Sequence, residues 1–224
     1  VLTISDVPHD DPKVIASGPL SYDDFEIDFN KYDDDIIEKL KKVEPLSCPN
    51  KDNFLNIQTN IIAKLDDAKL ACSDFGKKLN YNVHLNEKFI EGDVNDLSNY
   101  FHNYLLNCPN GLHIWGGESS VQLPISPGRG GRNQQLSLLM AEKIQNVDNV
   151  IFLSAGTDGT DGPTNDAGGI VDGKTINLGE KLNLNYQKYL TNADSGSYLN
   201  KVEALITTGP TGTNVMDLIL AIKS

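Results

Sequence analysis

Arginine is nearly absent from this 224-residue chain: of its 19 basic side chains only Arg129 and Arg132 carry a guanidinium, and the others are all lysines. Cysteine is scarce too. Cys48, Cys72 and Cys108 are an odd number at wide spacing, with no Cys-x-x-Cys pair and no Cys/His cluster, which argues against structural zinc and for reduced thiols in a cytosolic protein. Long apolar runs are lacking; stretches such as Leu218 to Ile222 are far too short to span a bilayer, and no leader segment is expected. Positive charge is also short. The net charge of −12 means that most of the surface repels polyanions, so nucleic acid and anionic membrane are poor partners. What remains, 39% hydrophobic and 22% charged residues, is the composition of a soluble globular protein large enough for one big or two modest domains.

The pattern alternates strands and helices. Val1 to Ile4 reads as a strand that begins abruptly and runs straight into Ser5-Asp6-Val7-Pro8-His9-Asp10-Asp11-Pro12. The expectation is a fragment whose first strand is an exposed or re-paired edge. Residues 34–43 place acids first and lysines last, as a helix dipole favours, and Pro45, Pro49 and the polar run to Asn53 mark a boundary. A short strand is expected at Phe54 to Gln58. From Asn60 the series Ile61, Leu65, Ala68, Cys72, Phe75 and Leu79 has helical spacing and predicts one buried face, with Cys72 in the core. Further strands are expected at residues 81–85, 111–115, 149–154 and 204–207, with helices near 93–107 and 133–145. Together these predict an α/β fold with a mixed, largely parallel sheet flanked by helices, and there is no internal repeat.

In open α/β sheets ligands sit beyond the carboxyl ends of strands. Gly116-Gly117-Glu118-Ser119-Ser120, the segment Ala155 to Asp166 (AGTDGTDGPTND) and the segment Thr208 to Asn214 (TGPTGTN) are expected there, and each combines glycine with short polar side chains suited to anion or metal binding. Both arginines fall in a fourth glycine-rich segment, Pro127-Gly128-Arg129-Gly130-Gly131-Arg132-Asn133-Gln134. A guanidinium there offers a planar fork to a phosphate or carboxylate. The plainer readings stand beside these: Asp158-Gly159 and Asp161-Gly162 are ordinary turn dipeptides, the glutamate of a calcium loop is missing, and residues 209–214 lack the ending of a P-loop. His9, His84, His102 and His113 are dispersed, without metal-ligand spacing, and are read as structural or solvated.

Taken in order, Ser5 to Pro19, Gly116 to Ser120, Gly128 to Gln134, Ala155 to Asp166 and Gly209 to Asn214 resemble five motifs of the glycerate 2-kinase family, the last four belonging to its carboxy-terminal MOFRL module. The resemblance implies two α/β domains with the site in the cleft between them. It implies transfer of the γ-phosphate of ATP, with Mg²⁺, to the 2-hydroxyl of D-glycerate. Family members are about twice this length, and the absent amino-terminal half carries a catalytic lysine and a glycine-rich nucleotide segment. Residues 1–47 are then expected to be the tail of a Rossmann-like domain and 48–224 the carboxy-terminal domain, inactive without its partner, with a homodimer left open. The family usually has glycine where this chain has His9.

On that resemblance Arg132 is assigned to the phosphoryl group or the glycerate carboxylate, with Arg129 as a weaker partner. Asp158 or Asp161 holds Mg²⁺ or accepts the hydroxyl proton, or only orders its loop. Glu118 orients substrate hydroxyls, Asn133 contacts substrate, and Thr211, Thr213 and Asn214 line an anion nest. Asp10 and Asp11 reach in from the other domain. Two other functions stay open: a hydroxypyruvate reductase, whose name many relatives carry although nothing here resembles a Gly-x-Gly-x-x-Gly fingerprint, and a non-catalytic anion-binding module.

Overall fold

The computed structural model describes residues 1–23, 28–43 and 49–224. Its elements run β1 (Leu2–Ile4), α1 (Asp34–Leu40), β2 (Asn60–Ala63), α2 (Leu65–Lys78), β3 (Val83–Asp93), α3 (Val94–Asn107), β4 (Gly111–Ser120), α4 (Arg132–Lys143), β5 (Val150–Gly156), β6 (Gly168–Asp172), α5 (Thr175–Lys181), α6 (Tyr186–Thr191), α7 (Ser195–Lys201), β7 (Leu205–Ile206) and β8 (Asp217–Lys223). Pro45, part of the expected boundary, and Cys48 lie outside the described residues. The first strand is paired. β1 runs parallel to β2 in a two-stranded sheet of its own.

The main sheet has six strands in the order β3-β4-β8-β5-β6-β7 and is mixed, with helices on both faces. "Largely parallel" needs correction. Within this sheet, among the described residues, only β3 and β4 pair in parallel, because the last strand, β8, inserts antiparallel between β4 and β5, and β6 and β7 then continue antiparallel. Neighbouring residues of β4 point to opposite faces, and its contacts show what covers each. Leu112 and Gly116 meet α2, whereas His113 and Trp115 pack on Tyr104 and Phe101 of α3. The fully buried core lies on the α3 side, where Phe101 stacks edge-on against Trp115 and meets Phe152 of β5, extended by Leu136, Met140 and Tyr198.

Two expected elements differ. Residues 51–54 form a 3₁₀ turn instead of leading into a strand, and the strand comes later, as β2, where Ile61 and Ile62 favour extended backbone. The following helix therefore starts at Leu65, with Asp67 accepting the Lys64 amide at 3.0 Å. Its buried residues are Leu65, Lys69, Ser73 and Gly76, and the expected stripe members Phe75 and Leu79 are 63% and 55% exposed. Small residues decide the contact. A β-carbon at Gly76 would come within 2.5 Å of Leu112 Cδ2, so this face lies closest to the sheet. Cys72 is half-buried, and burial raises its thiol pKa. Among the described residues no helix is long and apolar enough to cross a membrane.

The histidine reading is sharpest at His113, which is fully buried. Its Nε2–H faces the Pro109 carbonyl at 2.9 Å, which leaves Nδ1, 3.1 Å from the Tyr104 hydroxyl, as an acceptor. Burial lowers its pKa; the Pro109 bond opposes that shift, while His84, stacked at 4.5 Å, and Lys223 reinforce it. A folded pKa below the unfolded value means that the stability tied to neutral His113 is present above about pH 6.5 and is lost as pH falls. We expect the Tm advantage of wild type over His113→Asn to narrow between pH 7.5 and 5, measured by calorimetry.

Candidate active site

The carboxyl end of β4, the start of α4 and the loops after β5 and β7 meet at one edge of the main sheet. Gly116 to Ser120 belongs to β4 itself: the strand continues past Trp115 because Phe89 to Asp93 of β3 pairs with it. Beyond β4 the chain loops out and re-enters at Gly131, where α4 begins. A β-carbon on Gly131 would fall 2.4 Å from the Asp161 carboxyl carbon, so only glycine lets the β5 loop close on this helix start.

Asp161 fills the helix N-terminus. It is 3% exposed and accepts the backbone N–H groups of Asn133 at 3.1 Å and Gln134 at 2.8 Å, with the Asn133 side-chain amide at 3.3 Å. Burial raises its pKa to about 6; the backbone bonds from Gln134 and Asn133 pull it back, and the Asp217 charge adds to the rise. The donors that an isolated helix start would offer to an anion are thus already engaged by this carboxylate. Asn133, 1% exposed, is held from both sides by Asp161 and by the Ser154 hydroxyl, which donates to its Oδ1 at 2.5 Å.

Arg132, the first residue of α4, lines a cleft of about 670 Å³. Its Nε and Nη2 donate side-on to the two oxygens of Asp217, at 2.7 and 3.2 Å, and its Nη1 donates to Glu118 Oε1 at 2.6 Å. Burial works against its charge, but the bonds and charges of Asp217, then of Glu118, prevail and raise its pKa above the ordinary guanidinium value. The two carboxylates differ in kind. The Asp217 side chain is 3% exposed and Glu118 is 43% exposed, so the first bond is a buried bidentate anchor and the second a solvent-facing contact.

Arg129 is placed differently. Its Nη2 pairs with Asp166, its Nη1 donates to the Gly196 carbonyl at 3.2 Å, and its backbone N–H donates to Asp194 at 2.8 Å. It ties the glycine-rich loop to the loop before β6 and does not line the cleft.

Asp158 lines the cleft, and its two oxygens accept from the Thr160 amide and hydroxyl, both at 2.9 Å. The loop after β7 folds onto this turn: the Thr211 N–H reaches the Asp158 carbonyl at 3.2 Å, and its hydroxyl the Thr157 carbonyl at 2.6 Å. Gly159, at φ +88°, permits that closure, since a β-carbon would sit 2.1 Å from the Gly209 carbonyl. Asn214 lines the cleft, and Thr211 and Thr213 do not. Of the amino-terminal segment Pro8 reaches the cleft; Asp10 pairs with Lys64 at 3.2 Å, and Asp11 accepts from the Lys13 amide at 2.9 Å. The described residues hold no group of three or more His, Cys, Asp or Glu side chains able to bind a metal.

The structure therefore gathers Arg132, Glu118, Asp158, Asp161 and Asn214 around one cleft and leaves Arg129, Asn133, Thr211, Thr213, Asp10 and Asp11 outside its lining. Among the cleft residues that escape sequence reasoning are Glu91 and Asp217, a lone acid opening an apolar strand, while Ser119, 5% exposed with no partner for its hydroxyl, falls in a candidate segment but is not singled out there. The acid at the head of Leu218 to Ile222 is the one signal that points to Asp217.

This edge coincides with a known module, since the family model described as MOFRL matches residues 111–217, from the first residue of β4 to Asp217 itself. The match covers a little under half of the chain. The matched segment contains both arginines and all four glycine-bearing segments. Beyond it, the whole chain resembles the D-glycerate 2-kinase of Thermotoga maritima, with 34% identity over 99% of this chain and 55% of that protein. It also resembles the glycerate 2-kinase of Pyrococcus horikoshii, 31% identical over 99% and 55%. The crystal structure of the Thermotoga maritima glycerate kinase superposes on all of this chain and 56% of its own, with 31% identity and a TM-score of 0.83. The chain spans about half the length of the curated relatives it matches.

Proposed function

We propose that this chain is the carboxy-terminal part of a glycerate 2-kinase, which transfers the γ-phosphate of ATP to the 2-hydroxyl of D-glycerate. The observation that carries the reading is Arg132, anchored by a buried carboxylate at the edge of the MOFRL cleft, in a chain 34% identical over nearly its full length to a D-glycerate 2-kinase. Phosphoryl transfer asks a protein mainly for positioning and charge neutralisation, and a rigidly held guanidinium supplies both. Residues 1–47 form the tail of the Rossmann-like domain, and residues 48–224 the carboxy-terminal domain. The nucleotide and the other half of the active site belong to the absent portion, and the complete protein is cytoplasmic.

A divalent ion fits this site as a passenger on the nucleotide. Asp158 is the carboxylate at hand, Asp161 is engaged with α4, and Mg²⁺ ordinarily takes its remaining oxygens from phosphates and water. Bound there it would neutralise phosphate charge, while Arg132 orients an oxyanion of the reactants and Asp158 or Asp161 takes the hydroxyl proton. Incubating the complete protein with ATP, Mg²⁺ and D-glycerate and identifying the product by ³¹P NMR tests the reading. 2-Phosphoglycerate is expected. Oxidation of NADH with hydroxypyruvate and no phosphorylation would overturn it in favour of a reductase.

A further inference from the structure

The cleft presents a problem for an anionic substrate. Glu91, Glu118, Asp158, Asp161 and Asp217 line it, and Arg132 is its only cation among the described residues. Three of the five guanidinium N–H groups are already used, those of Nε and Nη2 by Asp217 and one of Nη1 by Glu118. An incoming carboxylate or phosphoryl group meets the Glu118 carboxylate at Nη1, where like charge opposes its approach until one of these bonds opens. Glu118 is the one that can open. It is 43% exposed, and a solvent-facing ion pair is worth little, whereas releasing Asp217 would strand a buried charge.

We propose that Glu118 is an internal stand-in for the substrate oxyanion: its carboxylate occupies the Nη1 edge of Arg132 in the free protein and is displaced when substrate enters, while Asp217 keeps the guanidinium aimed at the same point. This rests on the kinase reading of the cleft. Ser119 supports it independently, because this residue of the cleft lining holds a buried hydroxyl with no partner, a donor that rotation about its Cα–Cβ bond would turn toward an incoming oxyanion. The device has a chemical logic. Arg132 is held in place before the substrate arrives, and the exchange replaces one charge-assisted bond with another instead of creating an unpaired cation.

Removing the competitor should tighten binding. In the complete protein Glu118→Gln is expected to improve affinity for D-glycerate about two- to fivefold, the upper part of the range spanned by a solvent-facing ion pair. The effect should appear in KM and in calorimetric titration with D-glycerate. Glu118→Ala gives the same direction. Glu91→Gln, which removes a cleft charge that does not touch Arg132, controls for general electrostatics and should change affinity less than about twofold. Tightening for D-glycerate with an unchanged KM for ATP assigns the edge to the substrate carboxylate, and the reverse pattern assigns it to a nucleotide phosphoryl group. Titration with inorganic phosphate separates this inference from the kinase reading. Absent phosphorylation defeats the kinase reading alone, whereas affinity in Glu118→Gln that is unchanged or weaker for D-glycerate, ATP and phosphate, or matched by Glu91→Gln, overturns the stand-in.

Discussion

Replacing Arg132 by lysine in the complete enzyme should lower kcat by about ten- to a thousandfold, the scale of losing one transition-state donor. Lysine keeps the charge but not the fork: a single ammonium cannot hold both oxygens of Asp217 and still present an edge to the substrate. Stability should suffer less, since Asp217 keeps a cationic partner. Arg129→Lys should leave turnover closer to normal, because Arg129 fastens the loop to Asp166 and Gly196 outside the cleft lining. Steady-state kinetics on both variants separates the roles. Turnover near wild type in Arg132→Lys would mean that the loop supplies only diffuse positive charge.

The other large effect concerns folding. Asp161→Ala removes the acceptor for two backbone N–H groups at the start of α4, inside the protein, and should destabilise it by about 2–4 kcal/mol, a Tm lower by roughly 5–15 °C. The carboxyl also carries a pH signature. Its folded pKa, about 6, lies above the unfolded 3.8, so the stability it contributes is fully present below about pH 4 and is lost as pH rises through 6. Wild type should therefore gain on Asp161→Asn as pH falls from 7 to 5, which thermal unfolding at several pH values would reveal. A small Tm change in Asp161→Ala would instead free this residue for a chiefly chemical role.

The elements that the sequence makes legible are those whose periodicity and ends agree. α3 and α4 combine helical spacing with clear termini, and β4 and β5 are apolar runs bounded by glycine. β6 is hidden because Gly168 and Gly169 open it; they are there for close approach, since a β-carbon at Gly168 would meet the Ser154 carbonyl at 1.9 Å. The face of α2 is misread because its contact is set by small residues, Ser73 and Gly76, and not by its largest apolar ones. At the site, Arg132 is legible as a lone guanidinium among glycines, but the partner that fixes it is not. Asp217 lies 85 residues away and reaches Arg132 only because β8 inserts between β4 and β5, a non-local pairing that spacing in the chain does not encode. His9 shows the same limit, since its left-handed backbone, at φ +64°, is visible only in the fold.

The central claim is that Arg132, and not Arg129, meets the substrate. Guanidinium NMR on the complete protein, with signals assigned through Arg132→Lys and Arg129→Lys, observes both side chains during a titration with D-glycerate. The Arg132 signals should shift as Glu118 gives way, while those of Arg129, held by Asp166, stay in place; a shift confined to Arg129, or none at either residue under saturating D-glycerate, would contradict the account.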